Sequence, residues 1–400
     1  MTSVLPRARI PFTRVEISER ARLAVDRVLE SGWVTTGREV VAFEEEFAES
    51  VCAQHAVAVS SCTAALELSL RGLGLHPGAK VLLPALTFCS AAHAIIHAGY
   101  RPVFCDVSVE TLAPTPATVA ATVQSVGGVD AMMVLHYAGA PSPVAELAAA
   151  ARLPLSRVVE DAAHAVGTWL DDAHPVGATS AAAAFSFYAT KNLPIGEGGM
   201  LTTDDDELAE FARRARLHGM SRDAWARYAP GANWRYSVEA GGLKANMTDV
   251  QAAIGRAQLC ELPAWQMRRE QVALEYDALL ASVPGIARPR WPLVGRHAWH
   301  LYVVRVTPEF GISRDDLIVR LSEAGVDCSV HFIPLHHFSY FAPTLGASDL
   351  PATDAVAQQI VSLPMYPTLR DGEIERICTA IEEARVVGPV SVGATGAGVH

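Results

Sequence analysis

Residues 185–199 read FSFYATKNLPIGEGG, an apolar strand that runs into Lys191 and then into a glycine-rich turn. A lysine at the end of a buried strand can be held out of bulk water, where its amine is usable as a nucleophile. The glycines that follow allow a sharp turn at this point. Lys191 is therefore a candidate catalytic residue, although a solvated surface lysine is the commoner state of this residue type.

A second predicted strand ends on a carboxylate upstream of this lysine. Residues 158–165 read VVEDAAHA and place Asp161 at the strand end. Such a carboxylate and such a lysine are the two groups that pyridoxal phosphate requires, one for its ring nitrogen and one for its aldehyde. His164 follows three residues later and, if the segment turns helical, lies on the same face, within reach of a ring substituent.

Short apolar runs alternate with helical patterns through the first half of the chain. Because the runs are continuous rather than alternating, they are typical of strands buried on both faces. They predict an α/β fold with a mainly parallel, seven-stranded sheet flanked by helices. The runs are residues 56–60, 80–83, 101–107, 131–136, 157–160, 182–188 and 199–203.

The pattern changes near residue 264. A long helical pattern opens at Trp265 and runs through Leu280, residues 299–306 alternate like a half-exposed strand, and residues 313–324 form an amphipathic pattern. We expect a large cofactor-binding domain over residues 1–263, including an N-terminal segment. A smaller α+β domain would cover residues 264–387, and residues 388–400, poor in groups to bury, would form a disordered tail.

Composition excludes several classes of protein. A formal net charge of −11 and a pI near 5.7 argue against a nucleic-acid-binding surface, which needs clustered Lys and Arg. The seven cysteines are scattered and never spaced C-x-x-C, so neither a disulfide framework nor a zinc knuckle is indicated. The sequence lacks a long apolar span and an N-terminal signal peptide, so we expect a cytoplasmic protein that does not enter the membrane.

Two further segments suit a phosphorylated, planar ligand. Residues 58–66, AVSSCTAAL, combine a strand, a polar turn and a helix start, where free N–H groups favour an anion. Phe88 follows another strand and could stack on a planar ring. Taken singly, an ordinary helix cap and a core phenylalanine explain these residues better. These two segments suit the same cofactor as Lys191 and Asp161. That agreement favours ligand binding over the structural explanations.

Metal and dinucleotide sites are not expected. His93 and His97 have helical spacing but lack the glutamate of an H-E-x-x-H motif. His331, His336 and His337 lie in a proline-containing loop without an accompanying carboxylate pattern. The first strand is not followed by the G-x-G-x-x-G of a dinucleotide-binding fold.

From about Ser31 to Pro367 the chain resembles the sugar aminotransferases of the DegT/DnrJ/EryC1/StrS type, which are fold type I pyridoxal-phosphate enzymes. The resemblance depends on eight motifs that occur in the family's order. They are SGWVTTG (31–37), PALTF (84–88), VLHYAG (134–139), EDAAHA (160–165), SFYATKN (186–192), EGGM (197–200), NMTDVQAAIG (246–255) and LPMYP (363–367).

The resemblance assigns roles to individual residues. It implies that Lys191 and Asp161 are catalytic, with Lys191 linked to the cofactor as a Schiff base and Asp161 paired with its pyridine nitrogen. The further cofactor-binding residues would be Phe88 on the ring, His164 near the ring hydroxyl, and Cys62, Thr63 and Ser186 at the phosphate. Asn246 would reach the phosphate of a neighbouring subunit, which implies a homodimer with shared active sites. Trp33, His331 and His336 would lie near the substrate.

Cys62 departs from the family pattern, since many relatives have glycine there. If the turn required a positive φ, Cys62 would be strained.

The implied reaction moves an amino group from an amino acid, glutamate in the family, to a nucleotide-linked keto sugar, with pyridoxamine phosphate between the two halves. Residues 221–225, SRDAW, and the form of the aspartate motif resemble the C4-aminating branch of the family. This resemblance implies amination at C4 of a 4-keto-6-deoxyhexose, a step in deoxyamino sugar biosynthesis. Amination at C3 and a keto-cyclitol substrate are alternatives. Two further alternatives concern the function itself. One is a sugar dehydratase, although similar dehydratases have histidine in place of the lysine, and the other is a non-enzymatic regulator that binds the cofactor.

Overall fold

The structure, a computed structural model, describes residues 8–221, 236–291, 294–342 and 349–386. Its main sheet has seven strands in the order β1-β7-β6-β5-β4-β2-β3. The strands are β1 (His55–Val59), β2 (Lys80–Pro84), β3 (Arg101–Cys105), β4 (Ala131–Leu135), β5 (Val158–Ala162), β6 (Ala182–Ser186) and β7 (Gly199–Thr203).

Strand β7 is the antiparallel member of this sheet. It pairs antiparallel with β1 and β6, whereas the pairs from β6 across to β3 are parallel. Strands β4 to β7 are buried at every residue, as expected for continuous apolar runs covered on both faces. The predicted seven-stranded, mainly parallel sheet is confirmed.

Helices cover both faces of this sheet. One face packs against Leu66, Leu70 and Ile95, and the other against Phe47 and Leu147. The helices before and around the sheet are α1 (Glu19–Ser31), α2 (Arg38–Ser50), α3 (Cys62–Gly72), α4 (Cys89–His97), α5 (Pro116–Val126), α6 (Val144–Ala151), α7 (Asp206–Ala215) and α8 (Asp249–Leu259).

A second, three-stranded antiparallel sheet lies in the C-terminal part, in the order β10-β9-β8. It packs against helices around a separate core that includes Tyr276, Val304 and Ile377, and Ile10 from the N-terminal segment joins this core. The elements are α9 (Leu262–Leu280), β8 (Ile286–Ala287), β9 (Tyr302–Val306), α10 (Arg314–Glu323), α11 (Pro351–Ala357), β10 (Ile360–Leu363) and α12 (Asp371–Val386).

The division into a large and a smaller domain, with its boundary after residue 263, stays a prediction. The predicted tail, residues 388–400, lies outside the described residues. Within the described ranges, the helices are too short or too polar to cross a membrane.

One expectation about the second sheet is wrong. Strand β9 is not half-exposed but buried on both faces. Val304 and Val306 face the C-terminal core, while Leu301 and Val303 pack with Leu86 and other residues that follow strands of the main sheet. An alternating sequence signals exposure only when one face meets water, and here both faces meet protein.

The outer edge of β1 is closed by a buried ion pair. Glu44 of α2 accepts a hydrogen bond from the Ala58 N–H (2.8 Å), and the Arg216 guanidinium donates to the Ala58 carbonyl (2.9 Å). Arg216 and Glu44 also pair with each other and are almost fully buried. The two side chains thereby satisfy the outward backbone groups of Ala58 on this edge strand, close to the turn that opens α3.

We predict that Glu44→Ala lowers the free energy of unfolding by about 3–5 kcal/mol, because it leaves a buried guanidinium without its counter-charge. Urea unfolding followed by circular dichroism measures this. The control is Glu19→Ala, which breaks an exposed pair with Arg22 and should cost less than about 1 kcal/mol. Equal effects of the two substitutions would contradict the structural role of the buried pair.

Candidate active site

A cavity of about 330 Å³ opens where the parallel strands of the main sheet end. Carboxyl ends of parallel strands meet at one edge, which is where ligands of open α/β sheets bind. Asp161 of β5 and Ser186 of β6 line the cavity. The structure brings most of the predicted site residues to it: Cys62, Thr63, Phe88, Asp161, His164, Ser186, Lys191 and His331.

Lys191 lies in the loop between β6 and β7. Backbone hydrogen bonds close this loop at its base, from Phe187 N to the Gly198 carbonyl and from Ile195 N to the Phe187 carbonyl (both 2.9 Å). Leu193 and Ile195 are buried in the core beneath it. The lysine is therefore carried on a short, anchored loop that directs its side chain into the cavity.

The protein environment changes the acid–base properties of this lysine and of the aspartate. Burial lowers the pKa of Lys191 to about 8, although nearby Cys62 and Asp161 act in the opposite direction. Burial raises the pKa of Asp161, opposed by a hydrogen bond from Ala163 N–H (3.1 Å) and by Lys191 and His136. An amine that loses its proton near neutral pH and a buried carboxylate thus share one cavity, as expected for groups used in proton transfer.

The start of α3 is suited to an anion, and it lies at one end of the cavity, the anion-binding end. Ser61 caps the helix by accepting from Ala64 N–H (3.2 Å), which leaves the first-turn N–H groups of Cys62 and Thr63 outside the helical hydrogen-bond pattern. Strand β7 approaches this turn so closely that a Cβ on Gly199 would lie 2.5 Å from the Cys62 nitrogen. Only glycine permits that approach.

The strain considered for Cys62 is not found. Cys62 is the first residue of α3 and is not among the residues with positive φ. Its thiol donates to the Ala184 carbonyl (3.3 Å), and burial raises the pKa of the thiol well above its ordinary value. Cysteine is thus compatible with this position as a neutral thiol.

Three histidines around the lysine are held neutral. Burial lowers the pKa of His164 and of His300 well below its ordinary value, with Lys191 acting in the same direction, and lowers that of His331 to about 4. His164 Nδ1 accepts from Ala138 N–H (3.3 Å), which leaves its Nε2 as the donor.

The sequence interpretation missed His300. Asn192 donates from Nδ2 to the Ala298 carbonyl (2.7 Å), so its Oδ1 accepts from His300 Nδ1–H (3.1 Å). The His300 ring lies 4.4 Å from that of His164. His300 lies just before β9, and the sequence around it gives no signal of function. Only the packing of β9 against the main sheet brings His300 to the cavity.

Aromatic side chains form the mouth of the cavity. Phe88 directly precedes α4 and is 56% exposed, although it is a large apolar residue. Its ring lies 6.0 Å from that of Phe332, which in turn stacks 5.8 Å from the ring of His164. Exposed aromatic rings at a cavity mouth are suited to a planar ring or to the apolar face of a ligand.

Three predicted residues do not line the cavity. Trp33 and Asn246 come together at Thr36, where the Trp33 indole donates to the Thr36 carbonyl (3.0 Å) and the Asn246 amide to the Thr36 hydroxyl (2.7 Å). His336 pairs instead with Asp354 (2.8 Å). Of the C4-favouring segment 221–225, residues 222–225 lie outside the described residues.

The cavity residues fit pyridoxal phosphate. A desolvated amine, Lys191, suits its aldehyde, a buried carboxylate, Asp161, suits its ring nitrogen, and the first turn of α3 suits its phosphate. The glycine required at position 199 keeps side-chain atoms out of that phosphate end.

The chain is similar to known proteins over nearly its whole length. The sequence profile of the DegT/DnrJ/EryC1/StrS aminotransferase family matches residues 15–382. The spore coat polysaccharide biosynthesis protein SpsC from Bacillus subtilis (strain 168) is 42% identical over 378 residues, which are 94% of this chain and 96% of SpsC.

Solved structures agree with the sequence match. The aminotransferase TlmJ from Streptoalloteichus hindustanus superposes with a TM-score of 0.85 at 33% identity, over 95% of this chain and 99% of TlmJ. Spr1654 from Streptococcus pneumoniae, in its PMP form, superposes with a TM-score of 0.85 at 28% identity, over 94% of this chain and 99% of Spr1654.

We predict that apoprotein takes up pyridoxal phosphate faster as the pH rises, with a midpoint near 8. Only the neutral amine attacks the aldehyde, and burial lowers the pKa of Lys191 to about 8, whereas an ordinary lysine has a pKa of about 10.4. Stopped-flow absorbance measures the rate, and Nα-acetyl-lysine in parallel corrects for titration of the cofactor. A midpoint above about 10 would show that the lysine is solvated.

Proposed function

Because the chain belongs to the DegT/DnrJ/EryC1/StrS aminotransferase family and is a pyridoxal-phosphate-dependent sugar aminotransferase, we propose that it aminates C4 of a nucleotide-linked 4-keto-6-deoxyhexose. The amino donor is an amino acid, glutamate. The reaction serves deoxyamino sugar biosynthesis in the cytoplasm. The family match confirms the resemblance, the enzyme class and the cofactor, and the substrate details are our proposal.

The observation that carries this proposal is the meeting of Lys191 and Asp161 at one cavity. When bound, pyridoxal phosphate supplies an electron sink for the bond pair released at the carbon that carries the amino group. The remaining tasks, which are proton transfer, orientation and exclusion of water, belong to the side chains of the cavity.

Lys191 is the proposed proton carrier. An acid–base group works best when its pKa lies near the operating pH, and burial brings the pKa of this amine to about 8. Its Nζ can therefore take a proton from the substrate carbon and return it without a large free-energy difference between the two states. The anchored loop between β6 and β7 holds the backbone of Lys191 in place, so its side chain reaches the same cavity in both halves of the reaction.

Asp161 is the proposed partner of the ring nitrogen. Its carboxylate is almost fully buried at the end of β5, where a proton on a facing nitrogen is stabilised by a charge that water does not screen. The hydrogen bond from Ala163 N–H keeps one carboxylate oxygen in a fixed direction. Asp161 thus orients the cofactor and maintains its protonation.

The cavity wall supports a hydroxyl-rich substrate. His164, His300 and His331 are neutral donors and acceptors there, and Phe88 and Phe332 offer apolar faces, the combination that suits a sugar ring. Preference for C4 depends on the sequence of residues 160–165 and 221–225. The relative SpsC is a polysaccharide biosynthesis protein, in keeping with a sugar substrate.

The charge of the cavity supports a homodimer with shared sites. Among the described residues that line it, Lys191 is the cationic one, yet a phosphate dianion and a nucleotide both need compensation. Asn246 lies outside its own cavity and is hydrogen-bonded by the exposed Lys244. We propose that this asparagine reaches the phosphate bound to the partner subunit.

Incubation of the enzyme with glutamate and a panel of nucleotide-linked 4-keto and 3-keto sugars and a keto-cyclitol should yield a 4-amino sugar, located by NMR. Lys191→Ala should abolish turnover, because the proton carrier and cofactor anchor are lost. Amination at C3, or amination of the cyclitol, would contradict the proposed 4-keto sugar substrate. Sugar conversion without an amino donor would indicate dehydration instead.

Lys191→Ala and Asn246→Ala subunits should complement each other when they are co-expressed under separate affinity tags. Each homodimer is expected to be nearly inactive. A mixed dimer combines an intact Lys191 in one subunit with an intact Asn246 in the other, so a random mixture should recover about a quarter of wild-type activity. Failure to recover activity from purified mixed dimers would show that Asn246 does not act across the interface.

A further inference from the structure

A cluster of three possible metal ligands lies outside the active-site cavity. His336 and His337 belong to a short 3₁₀ turn, Leu335–His337, and Asp354 lies in the first turn of α11. Both imidazoles direct Nε2 at the same carboxylate oxygen of Asp354, at 2.8 Å and 2.7 Å. The three ligand atoms lie within 4.8 Å of one another.

The two halves of this cluster are anchored independently. The turn is fixed by the buried Leu335, whose N–H donates to the Ala85 carbonyl (2.9 Å). Helix α11 is fixed by Asp106, whose carboxylate accepts from Thr353 N–H (2.7 Å). Ala85 and Asp106 directly follow strands β2 and β3 of the main sheet. Because these residues hold the 3₁₀ turn and α11 in place, the three ligand atoms lie close together before any ion binds.

The donor set selects a class of metal. Two imidazole nitrogens and one carboxylate oxygen suit Zn²⁺ and neighbouring transition metals, whereas Mg²⁺ and Ca²⁺ prefer all-oxygen sites. The side chains of His336, His337 and Asp354 are 16%, 37% and 51% exposed. An ion can therefore enter from solvent and complete its coordination with water.

We propose that His336, His337 and Asp354 bind one divalent transition-metal ion, with Zn²⁺ as the best match. The ion fastens α11 to the loop that carries His331 and Phe332, two residues of the cavity wall. Sequence reasoning expected no metal, since the loop contains no carboxylate. The fold supplies that carboxylate from α11.

Titration of tag-free holoenzyme with Zn²⁺ against a chromophoric chelator tests the site. We expect one ion per chain, with affinity at least about tenfold weaker in His337→Leu and in Asp354→Asn, because loss of even an outer-shell partner costs that much. His174→Ala is the matched control, since it removes an isolated His–Asp pair with Asp171 (2.8 Å). Its affinity should equal that of the wild type.

Binding that is absent from the wild type, or that survives unchanged in both ligand variants, overturns the proposal. Circular dichroism of the metal-free variants checks that they fold. Thermal unfolding supplies an independent measurement, since an ion bound only to the folded state raises the midpoint. Zn²⁺ should raise it equally in the wild type and in His174→Ala but less in Asp354→Asn, and an equal rise in all three would also overturn the site.

Discussion

Removal of water from the amine of Lys191 is the constraint on which the site depends. A charged amine loses hydration when protein surrounds it, so its pKa falls. Any further positive charge nearby would lower that pKa again. Burial holds the three surrounding imidazoles neutral, so they add no positive charge, while Asp161, the buried carboxylate of the set, raises the pKa of the lysine.

The order of the strands along the chain places Lys191 where it is shielded from water. Asp161 and Ser186 are at the ends of neighbouring parallel strands, and Lys191 follows on the loop that returns as β7. That return strand runs antiparallel and brings Gly199 against the turn before α3. One loop therefore places the amine and also shapes the anion-binding end, which couples the position of the lysine to that of the phosphate.

The sequence predicted features that depend on local chemistry. Continuous apolar runs identified the seven strands, and strand ends beside polar turns identified Lys191, Asp161 and the start of α3. Features that depend on which segments meet in space were not accessible. His300 reaches the cavity only because β9 packs on the main sheet, the same packing that buries β9 on both faces. His336 has a carboxylate partner, Asp354, which comes close only because α11 packs beside the loop that carries the histidine. Trp33 and Asn246 lie outside the cavity of their own chain.

The ion pair on β1 has a consequence beyond the support of a turn. An edge strand normally presents unpaired N–H and carbonyl groups that can recruit a strand from another molecule. Glu44 and Arg216 occupy those groups at Ala58, and the Ala245 carbonyl accepts from Ser60 N–H (2.7 Å). The border of the sheet next to the anion-binding turn is therefore closed to strand addition, which protects the folded enzyme against self-association into fibrils at this edge.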